Sequence, residues 1–266
     1  MDSRILQHQD ESMTNKFSII LKEWRQIRNF SQLDLSLAAN VSARHISFLE
    51  NGRAHPSRKM ALNLAEKLDM PRRSRNALLQ AAGFAPIYYA RSLDDAEMTM
   101  VKDAINWMLL RHDPYPAVML DRRWQVLKMN RCASFLMSTL GISVGDSVLK
   151  LADDADKFKS IIENWQDVAH HMAVRLRLEA HHWGDDYLLE YAKKLETDFV
   201  LSIPKRTGAL PPFMPTIYKH ESLRLSFFST FSQFSSTEDI ALADLKIEHM
   251  FPADEETRKI LHNMVS

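Results

Sequence analysis

Cysteine is almost missing: Cys132 is the only one in 266 residues. A single cysteine excludes an intrachain disulfide framework and a thiolate metal cluster. It stands beside Ala133 and Phe135 in a stretch of helical spacing, where it reads as a small buried apolar residue. Glycine is scarce at 6 residues, which argues against a turn-rich all-β fold. No apolar run approaches the ~20 residues needed to span a bilayer. The opening residues, MDSRILQHQDES, have no apolar centre of the signal-peptide kind. A cytoplasmic protein without a membrane partner is expected. No G-x-S-x-G, Walker loop, dinucleotide fingerprint or H-E-x-x-H occurs, so no catalytic residue and no enzyme is expected.

Net charge is also absent, since 34 Lys and Arg balance 34 Asp and Glu. The distribution is uneven. Residues 1–91 carry 14 basic against 8 acidic side chains, and the remainder carries 20 against 26. A basic unit ahead of an acidic one suits one part meeting a polyanion and another with a different task, although such an excess also fits a solvated surface.

The organising stretch is Ser31 to Gly52, SQLDLSLAANVSARHISFLENG. Ser31 with Asp34 forms a capping-box pattern ahead of a short helix. Leu33, Leu35, Leu37 and Ala38 are its expected apolar positions. Asn40 stands where the chain leaves that helix, and asparagine tolerates the left-handed conformation. Ser42 caps a second helix anchored by Ile46 and Leu49. Two short helices at this spacing form a helix-turn-helix, whose second helix enters the DNA major groove. On a wheel of ~100° per residue, Arg44, Phe48 and Asn51 lie opposite the buried side, flanked by Ala43 and Ser47, with Ser42 beside the buried residues. Arg44 suits a bidentate contact to guanine. Ala43 and Phe48 suit thymine methyl groups, and Gln32, Asn51 and Arg53 suit phosphates. The competing reading is a plain helical hairpin with a wet polar face.

Around this stretch the apolar spacing predicts an earlier helix over 17–27 and two later ones, over about 58–68 and 72–82. After a linker, a helix runs over 98–110. Two strands follow, over 116–120 and 124–129, then a helix over 130–139 and longer helices over 161–183 and 187–201. A Pro/Gly-bearing loop covers 202–216. Strands over 216–219, 223–234 and 243–250 and a closing helix from Pro252 to Met264 complete the pattern. The expected fold is α+β. A flexible N-terminus spans 1–13, and a five-helix all-α domain spans 14–86. A linker at 87–97 leads to an α+β domain with an antiparallel sheet at 98–266, as in PAS-like sensors.

The string SQ..LS..A.VS...IS.LENG..HPS resembles the Xre/Cro-type helix-turn-helix family over about Phe17 to Leu68, with Asn40 where that family usually has glycine. The resemblance implies a homodimer on a palindromic operator in double-stranded DNA. The stretches RNALLQAAGFAP, PYPAVMLDRRWQVLKMNRCASFLM and LRLSFFSTF, with the closing DIALADLKIEHMFPADEETRKIL, resemble regulators of the MmyB type. In these an Xre domain precedes a PAS-like ligand-binding domain, which implies an apolar cavity for a fatty acid or similar lipophilic molecule and no other cofactor.

The residues offer material for such a cavity: Met119, Leu127 and Met129 from the first strands, Phe135 from the next helix, and Leu223, Leu225 and Phe227 from one parity of a late strand. Asn130 and Arg131 are the polar residues placed to meet a head group. All of them equally suit an ordinary core. His171 and His182 share a helix face but stand roughly 16 Å apart at ~1.5 Å per residue, so one ion cannot bridge them and no metal site is expected. Three readings follow: a ligand-responsive transcription regulator; a DNA-binding protein whose C-terminal domain only dimerises or recruits a protein; and, least supported, an enzyme fused to a DNA-binding module.

Overall fold

The computed structural model describes residues 16–199, 213–221, 223–234 and 238–265. The expected flexible N-terminus, and the expected loop up to residue 212, lie outside them. The chain forms two compact units, one reaching Tyr89 and including His181–Asp185, the other built from Ala90–Ala180 and the chain from Asp186 onward.

The first unit is helical: α1 (16–27), α2 (Gln32–Ala39), α3 (Ala43–Glu50), α4 (Arg58–Lys67) and α5 (Arg72–Ala81). Its core holds Phe17, Leu21, Leu35, Ile46, Leu49, Leu64 and Leu68, all essentially sealed from solvent. Helix α2 buries Leu35, Ser36 and Ala39, while Leu33 and Leu37 are 59% and 72% exposed. The expectation that all these leucines face the core is therefore corrected. Alternate residues on a helix lie about 200° apart, so burying Leu35 turns Leu33 and Leu37 outward.

The second unit is α+β. Helix α6 (Thr99–Arg111) precedes β1 (Ala117–Leu120) and β2 (Val126–Met129). Four helices follow: α7 (Arg131–Thr139), α8 (Ala155–Ile161), α9 (Trp165–Trp183) and α10 (Asp186–Asp198). Strands β3 (Thr216–His220) and β4 (Leu223–Gln233), the helical turn α11 (Ile240–Ala243), β5 (Lys246–Pro252) and α12 (Glu255–Val265) complete it. The five strands are antiparallel in the order β2-β1-β5-β4-β3.

All four residues of β1 are buried, so both faces of the sheet are covered. On one face Ala117, Met119 and Ile247 pack with Ile105 and Leu109 of α6. Because side chains alternate along a strand, Val118, Leu120, Lys246, Glu248 and Met250 point to the other face. The strand register puts Tyr218, Leu225 and Phe227 there as well.

Several elements begin later than the sequence periodicity predicts: β2 starts at Val126 rather than at Trp124, and Pro252 ends β5 instead of opening α12, which starts at Glu255. The helix expected over 161–183 begins at Trp165, and α8 is a separate helix. Between them Ile162 bridges Tyr218, and the Glu163 N–H donates to the Ile217 carbonyl at 2.8 Å. Asn164 secures the break: its amide donates to the Pro215 carbonyl at 2.7 Å and accepts from the Ile217 N–H at 3.0 Å. Apolar spacing in Ile161–Ile162 suits a helix, but the edge of β3 captures this backbone. The last strand starts at Lys246 rather than at Ala243, because Asp239 caps a helical turn just before it. Among the described residues no helix is long and apolar enough to cross a membrane.

Candidate nucleic-acid interface and ligand cavity

Helix α2 begins with a complete capping box: the Ser31 hydroxyl accepts from the Asp34 N–H at 3.0 Å, and Asp34 accepts from the Ser31 N–H at 2.9 Å. It ends at Asn40 with φ 55° and ψ 49°, the left-handed geometry that turns the chain toward α3. Ser42 caps α3, its hydroxyl accepting from the His45 N–H at 3.1 Å. Ile46, Leu49 and Glu50 are buried. Arg44 is exposed and lies 5.2 Å from the centre of the Phe48 ring, while Ala43, Ser47 and Phe48 are half-buried. Asn51 and Arg53 are exposed, and the Asn51 amide donates to the Ser47 carbonyl at 2.7 Å.

Glu50 holds this motif to its neighbours. Arg25 of α1 donates to both of its carboxylate oxygens, at 2.6 and 3.0 Å, and the side chains are only 12% and 2% exposed. The Gln32 amide donates to the same carboxylate at 2.8 Å, so the start of α2 and the end of α3 share one anion. The Glu50 hydrogen bond raises the Arg25 pKa, outweighing the effect of burial. The pattern reading missed this pair. The signal was present: Glu50 falls on the buried arc of α3, and a buried carboxylate needs a cation.

In the second unit a cavity of about 100 Å³ lies on the face of the sheet away from α6. Its floor is Thr216 and Tyr218 of β3 with Glu248 and Met250 of β5. Its walls come from Met137 and Leu140 of α7, Phe158 of α8 and Val168 and Met172 of α9. A second recess of about 50 Å³ adjoins it and shares Leu140 and Tyr218. Phe135, Leu223 and Leu225 line this recess. Neither of these two spaces is lined by Met119, Leu127, Met129, Asn130, Arg131 or Phe227. Met119 faces the α6 cluster, Leu127 is 37% exposed and Arg131 is exposed. Phe227 is sealed at 1% exposure. Asn130 caps α7: its carbonyl accepts from the Ala117 and Ala133 N–H groups, and its amide donates to Asp113 and to the Tyr115 carbonyl.

Beside the cavity lies a partly buried charge cluster, centred on the buried Lys246, that sequence patterning did not reveal. Lys246 donates to Glu179 at 2.8 Å, Arg175 donates to the same carboxylate at 2.9 Å, and the Trp124 indole donates at 2.8 Å. The Lys246 ammonium lies 3.7 Å from the Trp124 ring centre, and the Arg175 guanidinium 3.6 Å from that of Phe231. Trp124 adopts φ 64°, which a bulky side chain accepts only when its surroundings fix it. Burial pushes the Lys246 amine down to about 8 against the pull of Glu179. Burial also raises the Glu248 carboxyl pKa, opposed by its hydrogen bond from Ser229 and by the charges of Arg175 and Lys246. The Cys132 thiol is 8% exposed and pushed up to about 11 by burial, the behaviour of an inert core thiol. Among the described residues no group of three His, Cys, Asp or Glu is placed to share a metal ion.

A capped helix pair of helix-turn-helix geometry in one unit, and a sheet-floored cavity in the other, define a DNA-binding transcription regulator with a ligand-binding domain. Comparison with family models agrees: a helix-turn-helix model matches residues 21–73, and the model of the MmyB-like transcription regulator ligand binding domain matches residues 101–264. The latter match covers more than half of the chain, and the chain belongs to the MmyB-like transcription regulators. No curated protein matched the sequence.

Proposed function

We propose that this regulator binds a palindromic operator as a homodimer, reads it with α3, and changes its DNA affinity when a small lipophilic, acyl-like molecule fills the second unit. The observation that carries the DNA part is the division of α3. Ile46, Leu49 and Glu50 are spent on the core, which leaves Arg44, Ser47 and Phe48 as its outward face. Arg44 then contacts guanine, Ala43 and Phe48 meet thymine methyl groups, and Ser42, Gln32, Asn51 and Arg53 meet the backbone. The Gln32 amide, held by Glu50, is positioned before DNA arrives.

Dimerisation is supported by α6, whose outer side presents Met100, Trp107 and Leu110 at 85%, 62% and 68% exposure. Apolar residues so aligned on one helix suit an isologous contact with a second copy. The ligand reading is supported by the cavity, whose walls are almost wholly apolar. It is a compact space, so a short chain fits it better than a long one.

The ligand reading is tested by extracting the purified chain and analysing the extract by mass spectrometry, then adding the recovered compound back. A stoichiometric lipophilic compound that raises the melting temperature and shifts DNA affinity is expected. Binding at a concentration a hundredfold above Kd adds about 2.7 kcal/mol of stability. An empty extract and unchanged DNA affinity with every lipophilic compound tried would leave the second reading, a domain that only dimerises or recruits.

A further inference from the structure

The outward face of α3 offers DNA one cation and one aromatic ring, and the two are already stacked. Arg44 and Phe48 stand four residues apart, hence on one face of the helix, and the guanidinium carbon lies 5.2 Å from the ring centroid. Arg44 is exposed, and among the described residues it makes no hydrogen bond or ion pair. Its donors therefore remain for a ligand while the ring restricts their direction, which lowers the entropy lost on binding.

The other hydrogen-bonding groups that discriminate bases are committed elsewhere. Glu50, the only acid of α3, is held by Arg25 and by the Gln32 amide. The Asn51 amide turns back to the Ser47 carbonyl at 2.7 Å and the Ser47 hydroxyl at 3.3 Å. No carboxylate of α3 thus faces outward to accept from a cytosine amino group, and each amide is turned from the bidentate pairing with adenine. The strongest pairing left is that of Arg44 with guanine O6 and N7. Ring and guanidinium in stacking contact leave no room for a base pair between them. The base that Phe48 meets is therefore the neighbour of that guanine, ~3.4 Å along the strand. The apolar group that a base edge shows in the major groove is the pyrimidine C5-methyl. On the 5′ side of a guanine that methyl projects over the plane in which a bidentate arginine lies.

Resting on the reading of α3 as the recognition helix, we propose that the Arg44–Phe48 pair reads a methyl-bearing pyrimidine followed by guanine, so that each half-site contains a TG step. Arg44 takes the guanine, while Phe48 braces Arg44 and packs on the methyl group. The ring makes no hydrogen bond to the pyrimidine, so 5-methylcytosine serves in place of thymine. The regulator thus binds a CG step well when its cytosine is methylated and weakly when it is not.

Fluorescence anisotropy of the full chain on the duplex it selects from random DNA provides the test, with one half-site varied. The guanine whose preference Arg44→Ala loses is expected to have thymine on its 5′ side. Deoxyuridine in place of that thymine removes only the methyl group and should weaken binding about fourfold. Cytosine there, paired with guanine, should bind about fourfold more weakly than 5-methylcytosine in the same duplex. Phe48→Ala should bind the two members of each pair alike. Phe48→Leu keeps an apolar contact but no π face. It should retain the methyl preference and lower the preference for guanine over adenine roughly two- to fivefold. The wild-type comparisons hold whether or not Phe48→Ala folds. Equal wild-type affinity within both pairs, or an Arg44-dependent guanine with no fixed thymine before it, would overturn the proposal and leave α3 as the reading helix. Unchanged selection by Arg44→Ala would overturn the reading of α3 itself, and this inference with it.

Discussion

Glu50→Ala is expected to remove about 3–5 kcal/mol from the stability of the helix-turn-helix unit, the cost of breaking a buried ion pair from one side. The Arg25 side chain is 12% exposed and would keep a single bond to the Phe30 carbonyl at 2.7 Å in place of two charged ones. The Gln32 amide would lose its acceptor in the same step. In a helical unit of this size the loss corresponds to a fall of roughly 15 °C or more in its melting temperature. The double variant Arg25→Met with Glu50→Leu should recover most of the stability, because well-packed apolar residues commonly replace a buried pair without loss. It would not restore the anchor for Gln32. Urea unfolding followed by circular dichroism measures both, and a loss below about 1 kcal/mol for Glu50→Ala would show that the pair does not hold α1 to α3.

In the second unit Glu179→Ala should cost a similar amount, about 3–5 kcal/mol at neutral pH. Lys246, with its side chain 3% exposed, and Arg175 would then share a site with Glu248 and the faces of Trp124 and Phe231 to offset their charge, and among the described residues no carboxylate is bonded to either in the place of Glu179. The pH dependence has a definite sign. Lys246 releases its proton at about 8 in the folded chain against an ordinary 10.5, so across that interval the unfolded chain binds more protons. Its contribution to stability therefore rises with pH between those values. Removing Glu179 takes away the attraction that keeps the ammonium charged, so in Glu179→Ala the rise should begin at lower pH. For Glu179 itself burial favours the neutral form, but Lys246 and Arg175 outweigh it and its pKa is lowered. Its contribution is thus full above about 4.5 and lost as pH falls through the lower folded value. Unfolding curves of wild type and Glu179→Ala across these ranges check both limbs. Parallel curves would mean that the cluster does not titrate with folding.

What could be read beforehand was whatever local rules control. Ser31, Asp34, Asn40 and Ser42 announce the turn between α2 and α3 because capping is settled within four residues. The α+β pattern of the second unit was legible because strands and helices bury side chains at different periods. Pairing across long separations was not. Arg25 with Glu50, and Lys246 with Glu179, lie 25 and 67 residues apart and give no periodic signal. The cavity shows the same limit. Leu223 and Leu225 share a strand parity with Phe227, yet only the first two line the recess, because Phe227 is sealed with its ring against Tyr218. Tyr218 and Glu248, polar members of the lining, were passed over because a search for apolar linings does not look for polar groups.

The most direct test of the account is selection of DNA from random duplexes by the full chain, repeated with Arg44→Ala. Wild type should select inverted half-sites about one helical turn, ~34 Å, apart. Each should carry a guanine whose preference Arg44→Ala loses, together with about 1–3 kcal/mol of affinity. Identical selected sequences and equal affinity for the two proteins would contradict the assignment of α3 as the reading helix. A single half-site without its inverted copy would contradict the dimer.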